Sequence, residues 1–186
     1  MHETMSSVSR LIVLLVCAQA VSAQSTNALL TNAIDVLSLP GDRAFGMGIS
    51  IRGVVTAAQP VTATTPNWEG RFFVQDGTAG IFAEDNSHRQ PAAGDYVEVT
   101  GTSHPGGFAP FISNAHWKKL GTAPLPAATP VPIEELMAGI EDSQRVEISG
   151  IIRAVQGDGP VVMYEIASGG YRLSVYAPPL LSLIHI

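Results

Sequence analysis

A chain of 186 residues with 46% hydrophobic and 14% charged side chains is neither disordered nor fibrous by composition. Ten Lys and Arg stand against 16 Asp and Glu, a formal net charge of −6, so the chain has no general attraction for phosphate backbones. Cys17 is the one cysteine and lies in the apolar leader, which excludes a disulfide, a Cys-ligated metal and a thiol nucleophile from the rest of the chain.

Residues 1–23 read as a signal peptide. Arg10 supplies the positive start, residues 11–16 (LIVLLV) the apolar stretch, and Val21-Ser22-Ala23 the cleavage site. The apolar run falls short of the roughly 20 residues of a membrane span. A lipoprotein signal is the rival, since Cys17 follows Leu14-Leu15-Val16, but Val16 suits the preceding small-residue position poorly. Removing the leader leaves about 160 residues, enough for one ordinary domain or two small ones.

Residues 24–48 are expected to form a short N-terminal helix or lead-in. Leu29, Leu30, Ala33, Ile34 and Leu37 recur at helical spacing until Pro40-Gly41 ends the pattern. From residue 49 the period changes to two. The segments 49–56, 71–75, 80–84, 96–101 and 108–120 read as five short strands. Asp76-Gly77 marks the second hairpin, because both residues tolerate positive φ. Five antiparallel strands in about 70 residues predict an all-β fold, an OB-like five-stranded Greek-key barrel over 49–120.

Residues 121–143 form a Pro-rich linker with a short helix at 133–140, the prolines favouring extended backbone. Next comes a repeat over 144–179. The stretch VEISGIIRA at 146–154 echoes ISIRGVVTA at 49–57, and 162–167 with 171–176 form a hairpin around Ser168-Gly169-Gly170. These match the first three strands of a second barrel, a partial one with an unpaired edge and an open core. Residues 180–186 (LLSLIHI) resemble translated sequencing-adapter read-through and are expected to be non-native.

The strings RGVVTAA, RFFVQDGTAGIFAED, GDYVEVTG, GGFAPFI and EDSQRVEISGIIRAV closely resemble the exported input region of certain bacterial sensor histidine kinases, over residues 27–177. The resemblance implies tandem OB-like barrels on the periplasmic side of the membrane, followed by a membrane helix and a cytoplasmic kinase. The phosphoacceptor-histidine motif, the ATP-binding region and the membrane span of that family have no counterpart in this sequence, so kinase activity is not carried over.

The polar residues offer no catalytic constellation. His88, His104, His116 and His185 are not spaced as a metal triad or in the zincin pattern. Glu84-Asp85-Asn86-Ser87-His88 clusters oxygens, but a calcium loop needs more ligands in order, and a solvated turn is expected. Ser103-His104 are adjacent, a poor geometry for nucleophile and base. Asp158 and Glu165 show no carboxylate partner, and Asp76-Gly77 and Gly169-Gly170 lack the helix and lysine of a phosphate cradle. A non-enzymatic protein with no catalytic residue, metal or cofactor is expected.

The barrel surface remains. Alternation assigns Ile49, Ile51, Phe72, Val74, Ile81, Val97 and Val99 to the core. The outer face then carries Arg52, Phe73, Gln75, Phe82, Glu84, Tyr96 and Glu98. Of these, Arg52, Phe73, Gln75, Phe82 and Tyr96 are the candidate ligand-binding set, since aromatics beside an arginine resemble an OB stacking platform. The competing expectation packs Phe73 and Phe82 beneath the N-terminal helix, the linker or a neighbouring barrel. Trp117 with Lys118-Lys119 is a poorer second patch.

The expected function is a sensor-input fragment that binds an unknown small ligand or periplasmic partner. Membrane attachment would come only through a downstream segment, and the linker at 123–132 is where the arrangement of barrels could change. Nucleic acid is disfavoured by charge. The alternatives are an exported OB module binding single-stranded nucleic acid or oligosaccharide, and a structural spacer without a ligand.

Overall fold

The computed structural model describes residues 29–41, 44–59, 70–87, 89–157 and 159–177. The leader expected at 1–23 and the tail expected at 180–186 lie outside the described residues, as do His88, His185 and Asp158.

Period-two alternation builds β1 (Gly48–Ala58), β2 (Arg71–Gln75), β3 (Gly80–Glu84), β4 (Asp95–His104) and β5 (Phe111–Thr122). They close into a barrel in the order β1-β2-β3-β5-β4. β1 pairs antiparallel with β2 on one edge, Val55 opposite Val74, and with β4 on the other, Ile51 opposite Val99. A parallel contact of β3 with β5, at Ala83 and Ile112, completes the ring. This is the expected all-β, OB-like arrangement. Long strands must bend to wrap so small a barrel. β1 bulges between Val55 and Ala57, and the β4–β5 register slips between Tyr96 and Val97 and between Thr100 and Thr102. Asn114 takes the left-handed backbone (φ 49) at the second of these slips.

Inside, alternate residues of all five strands meet. Ile49, Ile51, Val55, Phe72, Val74, Ile81, Ala83, Val97, Val99, Ile112 and Ala115 form one buried cluster. Every residue that alternation assigns inward belongs to it. β5 begins later than the sequence suggests, at Phe111, because Gly106, Gly107 and Pro110 hold the preceding residues in a loop.

The lead-in yields only one short helix, α1 (Ala33–Leu37), and its inward residues are Ala33 and Val36. Leu29 and Ile34 are exposed, while Leu30 bridges to Ile49 as a strand residue would. A five-residue helix does not nucleate by itself. Asp76 holds it in place: its Oδ2 accepts the Ala33 N–H at 2.8 Å, and its Oδ1 accepts Thr78 N–H and Thr78 Oγ1, both at 2.6 Å. The same oxygen accepts Ala79 N–H at 3.0 Å. Neither Asp76 nor Gly77 adopts the positive φ that the sequence suggests, because the aspartate side chain itself shapes the β2–β3 turn.

After β5 come β6 (Thr129–Pro130), α2 (Ile133–Met137) and β7 (Val146–Glu147). β6 and β7 pair in parallel, Thr129 opposite Val146, so the proline-rich stretch lies alongside the chain that leaves α2. α2 ends in a Schellman motif, with Ile140 N–H on Glu135 C=O and Gly139 N–H on Leu136 C=O. The single strand expected at 146–154 is divided into β7 and β8 (Ile151–Gln156). β7 serves β6 while β8 pairs with β9 (Val162–Ser168), and one unbroken strand cannot turn to both. β9 pairs with β10 (Tyr171–Ala177) through a tight turn at Gly169 and Gly170, whose φ values of 52 and 87 suit a two-residue hairpin. The three-stranded sheet covers its apolar face only in part. Val162 and Tyr164 are buried, but Val155 is 55% exposed.

Both the barrel register and the acidic staple are open to measurement. Phe72→Ala should cost about 3–5 kcal/mol, and Phe73→Ala about 1 kcal/mol, measured by urea unfolding. Equal costs would contradict the register. Burial works to raise the Asp76 pKa, but hydrogen bonds from Thr78, Ala33 and Ala79 outweigh it and hold the carboxyl below its ordinary 3.8. A carboxyl depressed in the fold stabilises above its unfolded value, and that stability is lost as pH falls through the folded one. Asp76→Asn should therefore destabilise at neutral pH and flatten the loss of stability below about pH 4, read as urea midpoints across pH. An unchanged acid limb would contradict this.

Candidate functional site

Outward residues of β2 and β3 meet across their hairpin. Phe73 lies opposite Phe82, with ring centroids 5.4 Å apart. Phe82 continues to Phe111 on β5 at 5.5 Å, Phe111 to His104 on β4 at 4.9 Å, and His104 to Phe45 at 5.5 Å. Interplanar angles between 47° and 57° give the tilted contacts that ring quadrupoles favour. An aromatic row thus crosses the outside of the barrel. His104 is oriented by the Gly106 N–H on its Nδ1 at 3.0 Å. Its neighbour Ser103 points inward, buried, with Oγ accepting Met47 N–H at 2.9 Å. The two side chains leave opposite faces of β4 and cannot act as nucleophile and base.

The segment after α2 roofs this row. One cavity of about 680 Å³ lies between Thr56, Ala57 and Phe73 of the barrel and residues 136–146. A second, of about 320 Å³, is lined by Gln59, Phe73, Phe82 and the 106–111 loop and strand start. Phe73, Phe108, Asp142 and Ser143 line both, making them two lobes of one groove. Phe108 leans from its loop onto Gly139, where an added Cβ would stand 2.0 Å from the ring. A side chain at residue 139 would have to displace that ring, and the positive φ of Gly139 (73°) also favours glycine.

Gln144 fastens the roof to the barrel. Its Oε1 accepts the Gly80 N–H at 2.8 Å and its Nε2 donates to the Gly80 carbonyl at 3.1 Å, the two-bond pattern of a strand partner. Arg145 N–H donates to Gln75 Oε1 at 3.3 Å. The Ser143 carbonyl sits where Gly80 lacks a side chain, 2.1 Å from the position of an added Cβ. Ser143 itself adopts φ 61, a left-handed conformation that costs a non-glycine residue about 1–2 kcal/mol.

Of the sequence-predicted ligand set, Phe73, Gln75 and Phe82 come together here. The two rings line the groove, half-buried beneath the linker segment, and Gln75 holds its roof. Arg52 and Tyr96 stand elsewhere, on the β1–β4 ladder, where Arg52 pairs with Glu98 at 2.8 Å and Tyr96 faces Val54. Glu84 pairs with Arg71 at 3.0 Å. The second patch is satisfied internally: Arg89 lies 4.8 Å above the Trp117 ring, and Lys119 pairs with Asp95. Asp85 accepts from Ser87 within its own turn, and Glu165 pairs with Arg172. Among the described residues no group of three His, Cys, Asp or Glu is placed to hold a metal, and no helix is long and apolar enough to cross a membrane.

Sequence reading left Phe108, Asp142, Ser143 and Gln144 without a role. The Gly-Gly-Phe-Ala-Pro run marks a loop and offers a signal for Phe108. Nothing local marks Gln144, whose partner is 64 residues away. Comparison with known proteins finds no matching family model and no significantly similar curated protein.

Gln144→Ala removes both bonds to Gly80, and Gly80→Ala pushes a methyl group into the Ser143 carbonyl. Either change should raise deuterium uptake at residues 139–146 by about tenfold, as the loss of about 1.4 kcal/mol of local protection implies, while the barrel keeps its cooperative melt. Unchanged uptake would show that the roof is held by other contacts.

Proposed function

We propose that this chain is the extracytoplasmic input portion of a bacterial two-component signalling protein, and that its groove binds a small ligand or partner. The observation that carries the reading is the origin of the groove's two walls. One is the β2–β3 face of the barrel. The other is the segment 139–146, which runs directly into β7 and on to β8. A ligand held between them favours one arrangement of barrel and following sheet over another, and that differential affinity is what biases an output.

The position of the groove supports a binding role. OB barrels hold their ligands on the face of the second and third strands, beside the loop between the fourth and fifth, and Phe108 sits in that loop here. The leader at 1–23 and the resemblance to sensor-kinase input regions support export and signalling. Of the alternative ligands for such a face, an oligosaccharide suits the aromatic row better than a nucleic acid. Glu141 and Asp142 in the lining oppose phosphates.

The test has two arms. Expressed with its leader in a bacterium, the protein should be recovered from the periplasm beginning at Gln24, by mass spectrometry. A panel of soluble amines, sugars and amino acids is then screened for compounds that raise Tm in the parent chain but not in Phe108→Ala. With spin labels at Lys118 on β5 and Ser174 on β10, such a compound should shift the interlabel distance. Compounds that raise Tm and leave the distance unchanged would reduce the protein to a plain binding module, and cytoplasmic retention would end the signalling proposal.

A further inference from the structure

We infer that the groove takes a small organic cation with an apolar body, an ammonium compound carrying an aromatic or short aliphatic group. This rests on the groove being a ligand site, as proposed above, and adds the chemistry of the occupant.

The first observation is the charge of the groove's lining. Elsewhere on the barrel Glu84, Glu98 and Asp95 each pair with an Arg or Lys. Glu141 and Asp142 line the groove, and among the described residues neither pairs with a cation; Asp142 Oδ2 accepts only the Ser143 hydroxyl, at 3.2 Å. The one basic side chain in the lining, Arg145, donates its guanidinium to the Pro126 carbonyl. The lining therefore carries a net negative charge, and the charge of the whole chain has the same sign.

The second observation is the rings. Phe73, Phe82 and Phe111 line the lobe that Asp142 also lines, and aromatic faces attract cations, more strongly where water is partly excluded. Among the described residues the cation–ring contact is that of Arg89 on Trp117, outside the groove. Carboxylates and ring faces both select for positive charge and against anions. A lobe of about 320 Å³ beside one of about 680 Å³ accommodates a head group and its apolar body.

The test is calorimetric titration of the full chain with three compounds of one shape: phenethylammonium, phenethyl alcohol and phenylacetate. The ammonium compound should bind about tenfold or more tighter than the alcohol, and phenylacetate weakest. Exchanging both carboxylates, Glu141→Gln with Asp142→Asn, should erase that preference and leave the alcohol's affinity unchanged; a melt confirms that the variant is folded. Equal affinity for ammonium and alcohol, or a preference that survives the double exchange, overturns the cation and leaves the groove intact as a site. If none of the three binds, the cation is overturned as well, and the site itself then stands or falls on compounds whose effect is lost in Phe108→Ala.

Discussion

β1 pairs with β2 along one edge and with β4 along the other, and the parallel contact of β3 with β5 leaves the small sheet closed on itself. Closure settles which way each side chain faces. A slip of one residue in β2 would send Phe73 into the core and Phe72 into solvent, so the register that buries Phe72, Val74, Ile81 and Ala83 is also what aligns Phe73 with Phe82 outside. The groove is a by-product of the core's own demand for alternation. Its location is set by β3, where β5 pairs only at Ala83 and Gly80 is left to bond the Gln144 side chain.

The junction between roof and barrel is built from a few separable contacts. Two neutral hydrogen bonds from Gln144 contribute about 1 kcal/mol each, while the left-handed backbone of Ser143 opposes them with a cost of about 1–2 kcal/mol. The Arg145–Gln75 bond and the Phe108–Gly139 contact add to them, so the roof is held by a few separate contacts and not by a packed core. The barrel beneath is different in kind, with a single buried cluster drawn from all five strands and α1. Under the proposed function, a rigid face and a separately held segment would let occupancy of the groove be felt by the chain beyond it.

Much of the barrel is legible in the sequence because its contacts are local. Hairpins and alternation declare themselves within a few residues, so β1 to β4 and the inward positions can be read directly, and Gly169-Gly170 announces its turn. Where the sequence misleads, a distant group is responsible. Asp76-Gly77 has the pattern of a backbone-driven turn, yet Asp76 works through its carboxylate and reaches α1. The apparent strand at 146–154 divides because β6 captures its first residues. Arg52 and Tyr96 share an outward face with Phe73 and Phe82 by alternation, but a barrel's outer face curves, and they stand on the β1–β4 ladder, Arg52 already paired with Glu98. Gln144 has no visible role until the fold brings it to Gly80.

The site exists only if the segment after α2 rests on the aromatic row and turns it into a groove. The contact between the Phe108 ring and Gly139 is the sharpest reporter of that seating, since it joins the barrel's loop to the roof. Nuclear Overhauser contacts from the Phe108 ring protons to the Gly139 α-protons, with those α-protons shifted upfield by the ring, are the predicted result. Random-coil shifts at Gly139 and no such contacts would mean that the roof is not seated, and that the aromatic row is an open face.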